Sequence, residues 1–209
     1  MRDIARVGDH HAIRRLLDAF AATSASLVSY AGLARDLAID LKTAQAHTDL
    51  LETLFVVQRL PAYSGNLLNR VVKAPKGYIT DSGMLCHLIG ADAERIVTDD
   101  KIAGMTFETF AVMELLRHAE WLDRPPRPYH YRDRDGREVD LVLEHPNGDV
   151  IGIEVKAAAS IRSSDLRGLR HLHAKIGDRF RGGAVLYTGE ATVPFGNGLF
   201  AVPLSALWT

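Results

Sequence analysis

A single cysteine, Cys86, stands among 209 residues, so no disulfide can form within the chain. That excludes a small disulfide-stapled scaffold and fits a reducing cytosol. No apolar run is long enough to cross a membrane, and the first residues, Met1-Arg-Asp-Ile-Ala-Arg-Val-Gly-Asp9, lack the apolar stretch of a signal peptide. A soluble, cytoplasmic protein with no membrane partner is the expectation. Bulk charge is missing as well. The net charge is −1, so any attraction to nucleic acid has to come from local patches. At 47% hydrophobic and 24% charged residues the composition is that of a folded chain, with enough length for one good core or two small ones.

What is present falls into two textures, and the fold class reads as α+β. Up to about residue 90 the chain is mainly helical. Ile13, Leu16, Leu17 and Phe20 recur at helical spacing. A short helix over 33–38, a turn at 39–41 and a longer helix over 42–54 outline a helix-turn-helix. Strands over 55–60 and 77–80 bracket a loop holding Pro61, Gly65, Asn66 and Pro75, which would complete a winged helix across residues 1–90. Asp81 or Ser82 can cap a helix over 83–89. Residues 90–104 are polar and weakly periodic, and the domain boundary is placed there.

The second domain, 105–209, alternates differently. A helix over 106–119 presents Phe107, Phe110, Ala111, Leu115 and Leu116 to the core. Strands follow at 129–132, 138–143 and 150–156, with turn signals at Asp135-Gly136 and Pro146-Asn147-Gly148. A helix over 163–176, capped by Ser163 or Ser164, precedes strands at 184–187 and 199–202. The sum is an α/β domain with a mixed central sheet.

Charge inside these strands is the chemical signal. At a period of two, Val139, Leu141 and Leu143 share one face, with Glu138, Asp140, Val142 and Glu144 on the other. In the next strand Glu154 and Lys156 align with Val150 and Gly152. Charged groups are rarely left in buried strands without a partner or a task. If the strands pair as a hairpin, Asp140 approaches Glu154, and a divalent cation would relieve their repulsion. Oxygen ligands favour Mg2+ or Mn2+ over zinc, and the Val155 carbonyl could add one more. Lys156 could then orient a water or stabilise a pentavalent phosphate. Glu108, in the first turn of the preceding helix, is a third acid, though there it also complements the helix dipole. The plainer reading of the same charges is a structural ion-pair cluster capping the sheet.

The order helix, three strands, helix, strand, with Glu108, Asp140, Glu154 and Lys156 at these places, resembles the PD-(D/E)xK nuclease core. More narrowly, nearly the whole chain resembles the C-terminal region of a prokaryotic AAA-type ATPase family. Leu60-Pro-Ala-Tyr63, Lys73-Ala-Pro-Lys76, Thr80-Asp-Ser-Gly83, Phe107-Glu-Thr109, Glu138-Val-Asp140, Ile153-Glu-Val-Lys156 and Leu186-Tyr-Thr-Gly189 carry the likeness. It implies a winged helix ahead of a nuclease-like domain. It also implies a metal held by Asp140, Glu154, Glu108 and Val155, with catalysis by Glu108, Asp140, Glu154 and Lys156. Family members carry a P-loop ATPase module, but no Gly-Lys-Ser/Thr occurs here, so no ATP site is expected in this chain. An ATPase module or partner subunits are the expected associates.

DNA is the other candidate partner. Lys42, Thr43, Gln45 and His47 open the recognition helix, where they could meet base edges. Arg59, Arg70, Lys73 and Lys76 lie in or near the wing and could meet phosphates. Asp40, Asp49 and Glu52 weaken that field, and a lid or protein-docking role is the alternative. A basic rim of Arg132, Arg134, Arg137, Arg162, Arg167 and Arg170 suits a polyanion or a plain solvated face. His10-His11 and His171/His173 are too closely spaced to share a metal, and Trp121 and Trp208 read as core. Three readings stand: a metal-dependent nuclease-like protein, a non-catalytic DNA-binding or protein-docking module with a degenerate nuclease fold, or a piece of an ATPase machine that functions only when joined to its motor.

Overall fold

A computed structural model describes residues 10–66, 70 and 73–208. Helix α1 (His10–Ala22) buries Leu16, Phe20 and Ala21. Strand β1 (Ser26–Leu27), too short to announce itself by alternation, leads to Ser29, whose hydroxyl accepts from the Gly32 N–H and starts α2 (Tyr30–Leu37). Asp40 caps α3 (Leu41–Thr53) through the Thr43 N–H, 2.9 Å away. Strands β2 (Val57–Leu60) and β3 (Lys76–Ile79) pair antiparallel, and with β1 they form a sheet ordered β1-β3-β2. Gly77 is required in that sheet, because a Cβ there would stand 2.7 Å from Val28. Asp81 then caps α4 (Ser82–Ile89), which ends at Gly90 with φ 64°. Leu16, Phe20, Leu37, Leu51, Val57, Ile79 and Leu85 pack together between these elements.

The stretch over 90–104 is helical rather than a bare connector. Asp92 caps α5 (Ala93–Thr98), and Asp99 caps α6 (Asp100–Glu120), which therefore starts before the expected 106. Its polar texture is that of caps and first turns, which conceal helices from a reading by apolar period.

The larger sheet comprises β4 (Arg127–Arg132), β5 (Glu138–Glu144), β6 (Val150–Lys156), β7 (Phe180–Tyr187), β8 (Val193–Gly196) and β9 (Leu199–Pro203). The order is β4-β5-β6-β7-β9-β8, with β6–β7 and β7–β9 parallel and the rest antiparallel. A 3-10 turn (Ser163–Leu166) leads into α7 (Arg167–Ile176). The opening of that turn is satisfied by Asp165, which accepts from the Arg162 N–H, and α7 itself takes no side-chain cap from Ser163 or Ser164. Leu166, Leu169 and Leu172 cover one sheet face, against Val139, Val142, Val150 and Phe180. Gly168 lets α7 approach so closely that a Cβ would stand 1.8 Å from the Glu138 carbonyl oxygen.

Helix α6 covers the other face, and there the two parts of the chain share a core. Ala111, Val112 and Met113 pack with Leu141, Ile153, Val155 and Leu186, and with Leu60 and Tyr78 of the first sheet. The backbone joins them as well: His130 N–H donates to Pro61 O (3.0 Å) and Tyr63 N–H to His130 O (2.6 Å). Trp121 and Trp208, expected in the core, are instead 83% and 54% exposed. No helix among the described residues is long and apolar enough to cross a membrane.

Candidate functional site

A β-bulge builds the site. Tyr129 pairs with Val142 and Tyr131 with Val139, so His130 on β4 faces two residues, Asp140 and Leu141, on β5. The extra residue breaks the alternation read from the sequence: Val139 joins Val142 against α7, while Leu141 packs under α6. Bulges re-aim side chains in this way. Asp140 is turned into the space where the end of the hairpin, α6 and β3 meet, and is 4% exposed.

Four elements supply charge to that space. Asp140 Oδ2 accepts the Val155 N–H at 2.9 Å, and Oδ1 accepts Lys76 Nζ at 2.7 Å. Lys76 Nζ also lies 2.5 Å from Glu108 Oε1, which the Tyr78 hydroxyl reaches at 2.8 Å. Glu154, 5% exposed, accepts Lys156 Nζ at 3.1 Å through Oε1. Its Oε2 is buried and finds no hydrogen-bond partner among the described residues. The structure thus gathers Glu108, Asp140, Glu154 and Lys156, and adds Lys76 and Tyr78 from the first sheet.

Electrostatics follows from crowding carboxylates away from water. Burial, then repulsion from Asp140, pushes Glu108 up to about 7, against the pull of Lys76 and Tyr78. The same two causes hold Glu154 well above the carboxylate range. For Lys76, burial favours the neutral amine, but Asp140 and Glu108 outweigh it and hold the ammonium charged. Lys156 is likewise raised by Glu154 and Asp140 against the cost of burial. His130 is pushed down to about 4, chiefly by burial, and stays neutral while its Nε2 meets the Ala74 carbonyl.

Several expected roles change on this geometry. Lys76 is 7% exposed and turned to carboxylates, so it does not stand ready for phosphate. Sequence reading missed its part here because the partners lie far along the chain; a lysine opening a buried strand was the available signal. Glu108 sits in the middle of α6, past the reach of the N-terminal dipole, because the helix starts at Asp100. Arg70 lies over the Tyr63 and Tyr129 rings and is committed to Glu144, at 2.5 and 3.0 Å. Arg59 is taken up by Glu52 and Asp49. Thr43 is occupied by the Asp40 cap, and His47 Nδ1 is buried without a partner among the described residues. Lys42, Gln45 and Lys73 remain exposed. In the basic rim, Arg132 pairs with Glu138, and Arg137 with Asp133 and Asp135.

A divalent metal does not fit the cluster as it is arranged. Both Asp140 oxygens are spent, one on Lys76 and one on the Val155 N–H, and the ammonium already stands between Asp140 and Glu108. Among the described residues no group of three or more His, Cys, Asp or Glu side chains converges as a metal site.

Comparison with known proteins gives two family matches. Residues 1–95 match a domain of unknown function, DUF8612, and residues 103–207 match another, DUF4143. Uncharacterized proteins of Mycobacterium bovis (Mb2031c) and Mycobacterium tuberculosis (Rv2008c) are each 29% identical over 211 residues. The match covers all of this chain but 46% of each relative, so the chain spans about half their length. A refined half-complex from a tetradecameric assembly of Thermococcus gammatolerans McrB AAA+ hexamers with bound McrC covers 92% of this chain and 46% of its own. It is 14% identical with a TM-score of 0.33, a likeness too weak to carry weight. The chain belongs to the DUF4143 family, a domain of unknown function whose match takes in Glu108, Asp140, Glu154 and Lys156.

Proposed function

We propose that this chain is a non-catalytic docking and regulatory module: a winged helix joined to a degenerate PD-(D/E)xK nuclease fold, from the C-terminal region of an AAA-type ATPase family protein. One observation carries it. Lys76 Nζ lies within 2.7 Å of both Glu108 and Asp140, so the acids that would bind metal are tied to the winged-helix unit instead. The cations expected to meet DNA support the same reading, since Arg59, Arg70 and Lys76 are each neutralised within the fold. Lys42 and Lys73 stay open, but an aromatic group is exposed as well. Trp121, Leu122 and Trp208 lie exposed near the end of α6, and large exposed apolar groups of this kind serve protein contact. The occupant proposed for them is the ATPase module that the family resemblance implies.

The rival reading, a Mg2+- or Mn2+-dependent phosphodiesterase using Glu108, Asp140, Glu154 and Lys156, has one observation in its favour, the unpartnered Glu154 Oε2. Incubation of the purified chain with single-stranded DNA, duplex DNA and RNA in Mg2+ and Mn2+ separates the two. No cleavage is expected. Divalent-dependent cleavage that disappears in Glu154→Ala and Lys156→Ala would overturn the non-catalytic reading.

A further inference from the structure

We propose that Lys76 is the resident cation of this cluster, its ammonium filling a divalent-cation site that the fold retains in Glu108 and Asp140. The inference rests on the non-catalytic reading and deepens it, by naming what closes the site. Lys76 opens β3 and is set by its pairing with Leu60 on one side and Leu27 on the other, in a sheet packed against α1. From that anchored backbone its side chain reaches two carboxylates on different elements, at 2.5 and 2.7 Å. An ammonium is a compact charge whose donors can serve several oxygens at once, which is the service a hard metal ion would render.

Without that charge the space would hold Glu108, Asp140 and Glu154 against Lys156 alone. Buried carboxylates so placed repel, and a divalent ion of oxygen preference relieves them. Removing the lysine therefore trades a built-in cation for an exchangeable one. Lys76→Ala should leave room for an ion with its waters, whereas Lys76→Arg should keep the position filled by positive charge.

Titration of Mn2+ followed by the paramagnetic signal of the free ion tests this without reference to activity. The wild type and Lys76→Arg should leave Mn2+ free at micromolar protein. Lys76→Ala should bind one equivalent, and Lys76→Ala/Asp140→Asn should lose it again. Millimolar Mn2+ should also raise the Tm of Lys76→Ala by roughly 5 °C and leave the wild type unchanged. A Lys76→Ala chain that folds only when Mn2+ is added gives the same support. Wild type that binds Mn2+ as well as Lys76→Ala overturns the inference, as does Lys76→Ala that binds none or is not recovered by Mn2+. Cleavage of nucleic acid by the wild type is a separate result, which would sink the non-catalytic reading whatever the Mn2+ titration shows.

Discussion

Lys76 Nζ stands 2.7 Å from Asp140 Oδ1 across a sequence separation of 64 residues, and both side chains are almost wholly withdrawn from water. A pair like this fixes one unit against the other. Separating two buried charges exposes each to the cost of being unpaired, so the shared core under α6 and the ion pair reinforce one another.

The cost of breaking it is measurable. Lys76→Met keeps the length of the side chain and removes the charge, leaving Glu108 and Asp140 to repel. A loss of about 3–5 kcal/mol is expected, typical for removing one partner of a buried ion pair. Urea denaturation gives the value directly. Adding Glu108→Gln should recover part of the loss, and strictly additive effects would mean that the two residues are not coupled.

Stability should also depend on pH through Glu108. Burial and Asp140 raise its folded value to about 7 from an ordinary 4.5. A group raised in this way holds its proton longer in the folded chain than in the unfolded one. Its contribution is complete below 4.5 and is lost as pH climbs through about 7. The loss is on the order of 3 kcal/mol, with Glu154 acting in the same direction. Urea midpoints between about pH 5 and about pH 8 should fall in the wild type and flatten in Glu108→Gln. Equal slopes in the two proteins would remove Glu108 as the cause.

Arg70 offers a test of structure against nucleic-acid binding. Its guanidinium bridges Glu144 in a two-point contact while stacking over two tyrosine rings. Arg70→Ala should cost about 1.5–3 kcal/mol, and Arg70→Lys should restore little, because an ammonium cannot reproduce the planar fork. A residue reserved for phosphate would show the opposite pattern: unchanged melting and weaker, salt-sensitive DNA binding.

Gly168 holds α7 against the sheet. An alanine there would drive its Cβ into the Glu138 carbonyl, which is backbone and not the yielding tip of a flexible side chain. Destabilisation of about 1–3 kcal/mol or more is expected, read as a lower Tm. An unchanged Tm would mean that α7 can slide without cost.

Local signals were enough for most of the elements. Asp81 marks a helix start that the structure confirms, the turn at 39–41 leads into a helix as expected, and the strands bearing Asp140, Glu154 and Lys156 lie close to their expected limits. Elements with weak local signals escaped: β1 is two residues long, β8 carries Pro194 and a closing Gly196, and α5 is mostly cap and first turn. The bulge at Asp140 was invisible for another reason. It is a mismatch between two strands, and neither strand alone contains it.

The sequence by itself determined the alternation of elements, the α+β class and the presence of acids in apolar strands, because caps, turns and periodicity act over a few residues. Only the tertiary structure decided which charge meets which. A lysine read as a surface cation becomes a buried counter-ion once β3 is set beside α6 and the end of the hairpin. An arginine from the loop is drawn onto Glu144 and two tyrosines for the same reason. Ion pairing acts through space and is strengthened by burial, so its partners emerge only when distant segments exclude water together.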